Sequence, residues 1–222
     1  MKDIIKGIDI STYQANLDFK KTKSAGVEFC FVKITEGIFR AESKIKISLN
    51  QAINAKKEGI KIGYYHFATD VDVFKQANYV KQTLANYPFP KADFPVILDL
   101  EDTEYSKLPK GADFESFVNK FHSELSSNPN YRELILYSYV PYLNSHLPKN
   151  HGLAKYPLWI AGYPFEAQKL IDFSTIDMKK MPNVPNGWQK YIGWQFTGNG
   201  TLPFYKGNID LNVMDKDFFN KY

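Results

Sequence analysis

Short apolar runs alternate with amphipathic stretches along the first half of the chain. Residues 4–10, 28–35, 60–67 and 94–101 have the length and composition of β-strands. Stretches with helical spacing lie at 18–25, 45–57 and 72–86, and each ends near a glycine or a proline. The run at 94–101 is almost continuously apolar, which is typical of a parallel strand buried on both faces. The alternation predicts repeated βα units.

The second half keeps the strands but loses helices. A helix is predicted at 114–125 and strands at 133–138, 157–161, 191–197 and 208–213, whereas 164–187 is rich in proline and reads as a long surface loop. Eight strands with fewer helices predict an α/β fold: a single irregular parallel (β/α) barrel, TIM-like, with fewer helices in its second half. Residues 1–222 fit one domain of this kind.

Composition narrows the class of protein only in part. A net charge of +4 favours an anionic partner, but the lysines are scattered, so we expect no nucleic-acid interface. No run is long enough to span a membrane, and the first residues lack the apolar core of a signal peptide. The single cysteine, Cys30, lies inside an apolar strand and is expected to be a buried thiol. A monomer is the default expectation.

Acidic residues fall where the predicted strands end. Asp9 ends the first strand, Glu36 follows the second, Asp99 and Glu101 end the fourth, and Asp210 lies in the last. Because the carboxyl ends of parallel barrel strands share one rim, where active sites are built, these acids are expected to converge there.

Asp99 and Glu101 are two residues apart on one strand, so their side chains leave the same face. Their Cα atoms would be roughly 6.6 Å apart. Glycoside hydrolysis uses carboxyl pairs at roughly 5–9.5 Å, a range that includes both stereochemical outcomes. Mutual repulsion would also raise the pKa of one member. The alternatives at this point are a metal site or a buried ion-pair network.

Other chemistries have less support in the sequence. The four histidines are dispersed and no Cys-x-x-Cys or His-x-x-x-His spacing occurs, so we expect no metal and no cofactor. His66 is expected to be a packed strand histidine, and Cys30 lies mid-strand, where a nucleophile would be out of reach. No nucleophile elbow, phosphate-binding loop or dinucleotide fingerprint appears.

Several motifs together resemble family 25 of the glycoside hydrolases, the N,O-diacetylmuramidase lysozymes. The resemblance runs from about residue 5 to residue 210. Its motifs are GIDIS at 7–11, FVKITEG at 31–37, GYYHF at 63–67, LDLE at 98–101 and NIDLN at 208–212, supported by short matches at 136–138, 158–161 and 194–197.

The resemblance implies an enzyme that hydrolyses the β-1,4 bond between N-acetylmuramic acid and N-acetylglucosamine in peptidoglycan, with retention. It implies that Glu101 is the general acid and that Asp99 orients the 2-acetamido group, whose carbonyl oxygen attacks the anomeric carbon. Asp9 and Asp210 would position the sugar and hold the pair's protonation state.

The resemblance also implies substrate contacts around the carboxylates. Tyr137 would hydrogen-bond near the acetamido group, and Tyr65, Trp159 and Gln195 would line the cleft, with core packing as the alternative for each. Glu36 would touch substrate or brace the rim. The chain departs from the family's pattern at Ala15, Arg40 and Glu42, all in loops at the mouth, which puts substrate contacts in doubt more than the chemistry.

Two other hypotheses stay open: a hydrolase of another N-acetylated glycan such as chitin, and a module that binds glycan without cleaving it. The expected location is extracellular or at the bacterial cell wall, reached either as a phage endolysin or as a processed secreted enzyme. Bacterial peptidoglycan is the expected partner.

Overall fold

The computed structural model describes residues 1, 3–164 and 171–222. In it, eight strands close into one barrel in sequence order, with the first strand beside the last. The strands are β1 Ile4–Ile10, β2 Phe29–Glu36, β3 Lys61–Phe67, β4 Val96–Asp99, β5 Leu134–Tyr139, β6 Leu158–Ala161, β7 Gly193–Leu202 and β8 Tyr205–Asp215. The predicted irregular α/β barrel is confirmed.

Helices are unevenly distributed around this barrel. Within the described residues they are α1 Phe19–Ser24, α2 Glu42–Lys57, α3 Val73–Asn86, α4 Ala112–Leu125, α5 Val140–His146 and α6 Lys216–Lys221. The two after α4 have seven and six residues, so the predicted scarcity of helices in the second half is confirmed. In the predicted loop 164–187, residues 165–170 lie outside the described residues, and the rest carries two short 3-10 turns.

The direction of β8 differs from an all-parallel barrel. Strands β1 to β7 all run parallel to one another, whereas β8 is antiparallel to both β7 and β1. A short turn after β7 causes this, since a tight hairpin can only join antiparallel strands. The first residues of β8 therefore lie at the same rim as the carboxyl ends of the other strands.

Alternate strand residues fill the barrel interior with rings. Phe29, Phe31 and Trp159 are at most 2% exposed and pack together there, and the ring centroids of Phe31 and Trp159 are 4.9 Å apart. Glycines on the strands adjacent to β2 leave the space that the phenylalanine rings occupy. A Cβ atom on Gly63 would lie 2.7 Å from the Phe31 ring, and one on Gly7 would overlap the Phe29 ring. This packed floor supports polar side chains above it.

Candidate active site

Four acids meet at the rim above the packed interior. Asp9 on β1 and Asp210 on β8 are paired residues in the antiparallel ladder. Asp99 is the last residue of β4, and Glu101 follows it outside the strand, where the chain had been predicted to continue as strand. Asp9 and Asp99 are each 5% exposed, while Glu101 and Asp210 are partly exposed. The predicted convergence of these four acids therefore holds, although Asp210 reaches the rim because β8 is antiparallel.

Asp9 and Asp210 share a proton. Burial, with the neighbouring charge of Asp9, raises the pKa of Asp210 to about 9. Burial also raises the pKa of Asp9, to about 6, although hydrogen bonds from two amides oppose the shift. At neutral pH Asp210 is therefore protonated and donates to the Asp9 carboxylate.

Asp99 and Glu101 form a second coupled pair. Burial raises the pKa of both carboxyl groups, and the charge of Glu101 adds to the shift of Asp99, which lies well above its usual value. They lie close enough to hydrogen-bond when one is protonated. The Asp99 Oδ1 atom is buried with no hydrogen-bond partner in the protein. The raised pKa values favour a protonated member of this pair, and Asp99 Oδ1 can accept a further hydrogen bond.

Amide side chains fix the position of Asp9. Its Oδ2 atom accepts from Gln195 Nε2 at 2.8 Å and from Asn212 Nδ2 at 2.7 Å. Trp159 Nε1 donates to Asn212 Oδ1 at 2.9 Å, which orients that amide. Gln195 is 3% and Trp159 2% exposed. Both thus lie beneath the carboxylates, and direct contact of either with a ligand stays a prediction.

Two tyrosines complete the network from the other side. The hydroxyls of Tyr137 and Tyr163 both donate to Gln195 Oε1, each at 2.6 Å. Burial and the nearby carboxylates raise the pKa of both phenols above the usual range. They stay neutral donors at every pH near 7. Tyr65, 8% exposed, lies beside the same acids, whose charges raise its pKa further after burial.

A cation lies beside the second pair. Lys33 faces the barrel mouth from β2, with Nζ 2.7 Å from Glu36 Oε2 and 4.3 Å from the centre of the Phe67 ring. Its charge opposes the rise in pKa of both Asp99 and Glu101. Glu36 itself is about half exposed. Burial alone would raise its pKa, but the ion pair with Lys33 outweighs that effect, so the pKa of Glu36 is lowered. Glu36 thus braces Lys33 in this structure, and its predicted contact with substrate stays a prediction.

Arg40, one of the residues at which the chain departs from the family's pattern, holds the β2–α2 loop through hydrogen bonds. Arg40 is 7% exposed and donates from Nη1 to the Lys33 carbonyl oxygen at 2.5 Å and to Ser48 Oγ at 2.8 Å. Its backbone N–H donates to the Tyr79 hydroxyl at 2.8 Å. The arginine therefore anchors the β2–α2 loop from below.

His66 and Cys30 play no part in this cluster. His66 is buried between Thr35 and Gln76, with ring nitrogens 2.9 and 3.1 Å from their side-chain oxygens, and burial lowers its pKa to about 4. Cys30 is buried, and burial raises its thiol pKa well above the usual value.

Among residues 1, 3–164 and 171–222, no three His, Cys, Asp or Glu side chains are grouped to hold a metal ion. No helix in that part of the chain is long and apolar enough to cross a membrane.

Sequence reasoning assigned no role to three residues of the site: Lys33, Tyr163 and Asn212. Each continues the inward alternation of a strand, two residues beyond Phe31, Ala161 and Asp210, respectively. That alternation is the sequence signal that identifies them.

Comparison with known proteins agrees with this geometry. A barrel with proton-sharing carboxylates at the carboxyl ends of its strands is the arrangement of a glycoside hydrolase. The family model described as "Glycosyl hydrolases family 25" matches residues 8–204. The chain belongs to glycosyl hydrolase family 25, and the resemblance drawn from its motifs is confirmed.

Relatives in sequence carry consistent names. The chain is 26% identical to Lysozyme M1 of Streptomyces globisporus, over 94% of this chain and 67% of that protein. It is 28% identical to the autolytic lysozyme of Clostridium acetobutylicum, over 94% of this chain and 55% of that protein. An N,O-diacetylmuramidase of Chalaropsis is 23% identical, over 93% of this chain and 96% of that protein. The chain thus spans little more than half of the Clostridium enzyme.

Solved structures share the fold. A bacterial lysozyme from Streptomyces coelicolor superposes with a TM-score of 0.78 at 23% identity, covering 97% of this chain and 94% of that one. A family 25 lysozyme from Aspergillus fumigatus gives 0.77 at 21% identity, covering 99% and 98%. The irregular barrel is therefore the fold of this group.

Proposed function

We propose that this chain is a lysozyme that hydrolyses the β-1,4 bond between N-acetylmuramic acid and N-acetylglucosamine in bacterial peptidoglycan, with retention and assistance from the substrate's acetamido group. The observation that carries the proposal is the Asp99–Glu101 pair, buried together and able to hold a proton at the barrel mouth. Family membership and the names of the relatives supply the substrate.

Glu101 is the general acid in this proposal. It is more exposed than Asp99, so its carboxyl group can reach a glycosidic oxygen. Burial raises the pKa of Glu101, which favours the protonated form that a general acid needs.

Asp99 receives the acetamido N–H. Its unpartnered Oδ1 atom accepts a donor that the sugar brings. That hydrogen bond stabilises the charged form of Asp99, so the proton that the pair shares moves to Glu101. Substrate binding thus sets the protonation state that the reaction uses. The acetamido carbonyl oxygen, polarised through its N–H, attacks the anomeric carbon as Glu101 protonates the leaving oxygen, and water later opens the cyclic intermediate.

The remaining residues position these groups. Asp9, held by Gln195 and Asn212, and protonated Asp210 would bind sugar hydroxyls at the rim. Tyr137 would approach the acetamido group from the Gln195 side, and Tyr65 would line the cleft wall. We further propose that residues 1–222 form one catalytic domain, which acts at the bacterial wall as a monomer.

Substituting Glu101→Gln tests the proposal. Loss of a general acid typically costs about 10²–10⁴-fold in rate, so clearing of a peptidoglycan suspension should slow by that factor. Glu104→Gln is the matched control, because Glu104 is an exposed acid in the same loop, and it should clear the suspension at the wild-type rate. Wild-type lysis by Glu101→Gln would refute the mechanism.

Mass spectrometry of the digest identifies the bond. Muramic acid at the new reducing ends supports the proposed specificity. Cleavage of chitin with no products from peptidoglycan would favour the other N-acetylated glycan. Saturable binding to both polymers without new reducing ends would favour a non-catalytic module.

A further inference from the structure

Exposed aromatic side chains gather at one end of the barrel. In the described part of the chain five aromatic side chains are largely exposed: Tyr13 at 89%, Phe39 at 78%, Phe74 at 46%, Tyr105 at 88% and Tyr163 at 55%. Four lie in the loops after β1, β2, β4 and β6, and Phe74 lies in the first turn of α3, which follows β3. All five therefore lie at the rim that carries the carboxylates.

The opposite rim has none of these exposed rings among the described residues, so their exposure does not simply follow from a high aromatic content of the chain. Its loops and cavities also contain rings, but these are buried or half-buried, as for Phe89, Tyr131 and Trp188. Two cavities of about 590 and 640 Å³ lie at that end. Single exposed rings need no explanation, whereas a set confined to the functional face indicates a surface for a ligand.

The exposed rings are held in place. The loop of Tyr13 is fixed through Gln14, whose side chain accepts from Ser11 N at 3.0 Å and donates to the Asn208 carbonyl oxygen at 3.1 Å. Phe39 precedes Arg40, the anchor of its loop. These rings are therefore presented by ordered backbone, which lowers the entropy cost of binding.

Tyr105 is presented in a similar way. Its N–H donates to Thr103 Oγ1 at 3.2 Å, and Thr103 N donates to the Ser106 carbonyl oxygen at 2.9 Å. Ser106 Oγ in turn accepts from Asp70 N, in the neighbouring β3–α3 loop, at 2.9 Å. These hydrogen bonds thus hold the turn of the β4–α4 loop that carries Tyr105.

The rings flank the carboxylates on two sides. In the closed order of strands, the loops after β1 and β2 are neighbours, and the loop after β4 is three strands from β1 and two strands from β2. A polymer running from Tyr13 and Phe39 to Tyr105 would lie along the rim that carries Asp9 on β1 and the Asp99–Glu101 pair at the end of β4. Flat rings suit a pyranose because its C–H faces pack against them.

We propose that Tyr13 and Phe39 on one side and Tyr105 on the other are stacking platforms that hold a long glycan strand across the scissile bond. This rests on the proposed lysozyme function. The platforms bind sugars remote from the reacting one, so they contribute to uniform binding of ground state and transition state.

The experiment compares long and short substrates. Tyr13→Ala, Phe39→Ala and Tyr105→Ala are assayed on purified peptidoglycan glycan strands and on the shortest oligosaccharide that the wild type cleaves. On long strands each variant should raise KM about 3- to 10-fold with kcat unchanged, which corresponds to about 0.7–1.4 kcal/mol per ring. On the short substrate the kinetics should match the wild type.

Two controls define the cause. Tyr13→Phe and Tyr105→Phe keep the ring face and should retain wild-type KM. Ile53→Ala removes an exposed apolar side chain from α2, away from the mouth, and should change nothing. Equal KM values for the alanine variants and the wild type on long strands would overturn the platforms while leaving the lysozyme proposal intact. A wild type that cleaves neither substrate would refute the lysozyme proposal itself.

Discussion

At the scale of single residues, Lys33 and Glu36 set the electrostatic balance around the candidate acid. The positive charge of Lys33 lowers the pKa of Asp99 and that of Glu101. The negative charge of Glu36, which pairs with Lys33, raises the pKa of Asp99. The two substitutions should therefore have opposite signs. A pair of coupled carboxyls gives a bell-shaped pH dependence of kcat/KM.

Lys33→Met removes a positive charge, so the pKa of Asp99 and that of Glu101 rise further and both limbs of the profile should move to higher pH. Glu36→Gln removes a negative charge, so the pKa of Asp99 falls and the limb of the profile that Asp99 governs should move to lower pH. Lys33→Arg keeps the charge and should keep the profile. If the Lys33→Met curve superposes on the wild-type curve after scaling, Lys33 has no such role.

Residue types at the site were largely predictable from the sequence. Four of the five acids that the pattern singled out, Asp9, Asp99, Glu101 and Asp210, meet at one rim, and the fifth, Glu36, pairs with Lys33 beside them. The protonation states were not predictable, since they depend on burial and on partners such as Asn212 and Gln195, brought to Asp9 from 203 and 186 residues away. Trp159 illustrates the same limit, because its motif cannot distinguish the cleft wall from the floor beneath it.

At the scale of elements, the barrel depends on glycines placed opposite phenylalanines. Gly63 on β3 is paired with Phe31 on β2. Phe31 cannot move away easily, because its ring contacts Phe94 and Trp159 at centroid distances of 5.5 and 4.9 Å. A methyl group at position 63 would therefore overpack the interior.

Gly63→Ala should lower the free energy of unfolding by about 1–3 kcal/mol, the usual cost of overpacking. Phe31→Leu should also destabilise, because it leaves a cavity. The double variant should cost less than the sum of the two, since the smaller side chain makes room for the methyl group. Urea unfolding of the three variants measures this coupling, and strict additivity would show that the two positions do not compete for space.

Strand existence was predictable, whereas strand direction was not. A period-two apolar pattern reads the same in both directions, so 208–213 predicted a strand without saying that it runs opposite to the others. The fourth strand was predicted as 94–101 but pairs only over Val96–Asp99. Its apolar run continues because Leu100 is buried beyond the ladder, and Glu101 lies outside the strand and is partly exposed.

At the scale of the whole molecule, the two ends of the barrel divide stability from chemistry. The helix α6 follows β8, whose last residue pairs with the first of β1, so it covers the end opposite the carboxylates. Phe219 in this helix lies 6.1 Å from Phe94 between ring centroids. Lys61 Nζ lies 4.0 Å above the Phe219 ring and donates to its carbonyl oxygen at 3.0 Å.

Phe219→Ala should destabilise the barrel without changing its chemistry. Losing a half-buried ring and its cation–π contact should cost about 1–3 kcal/mol, and each kcal/mol lowers Tm by about 2–4 °C in a chain of this size. Because the carboxylates lie at the other end, kcat/KM measured well below Tm should equal that of the wild type. Tyr13→Ala should show the reverse, with Tm unchanged and KM raised on long glycan strands. A fall in kcat/KM for Phe219→Ala at a temperature where the protein is fully folded would mean that packing at the closed end reaches the site, and that the barrel does not separate the two roles.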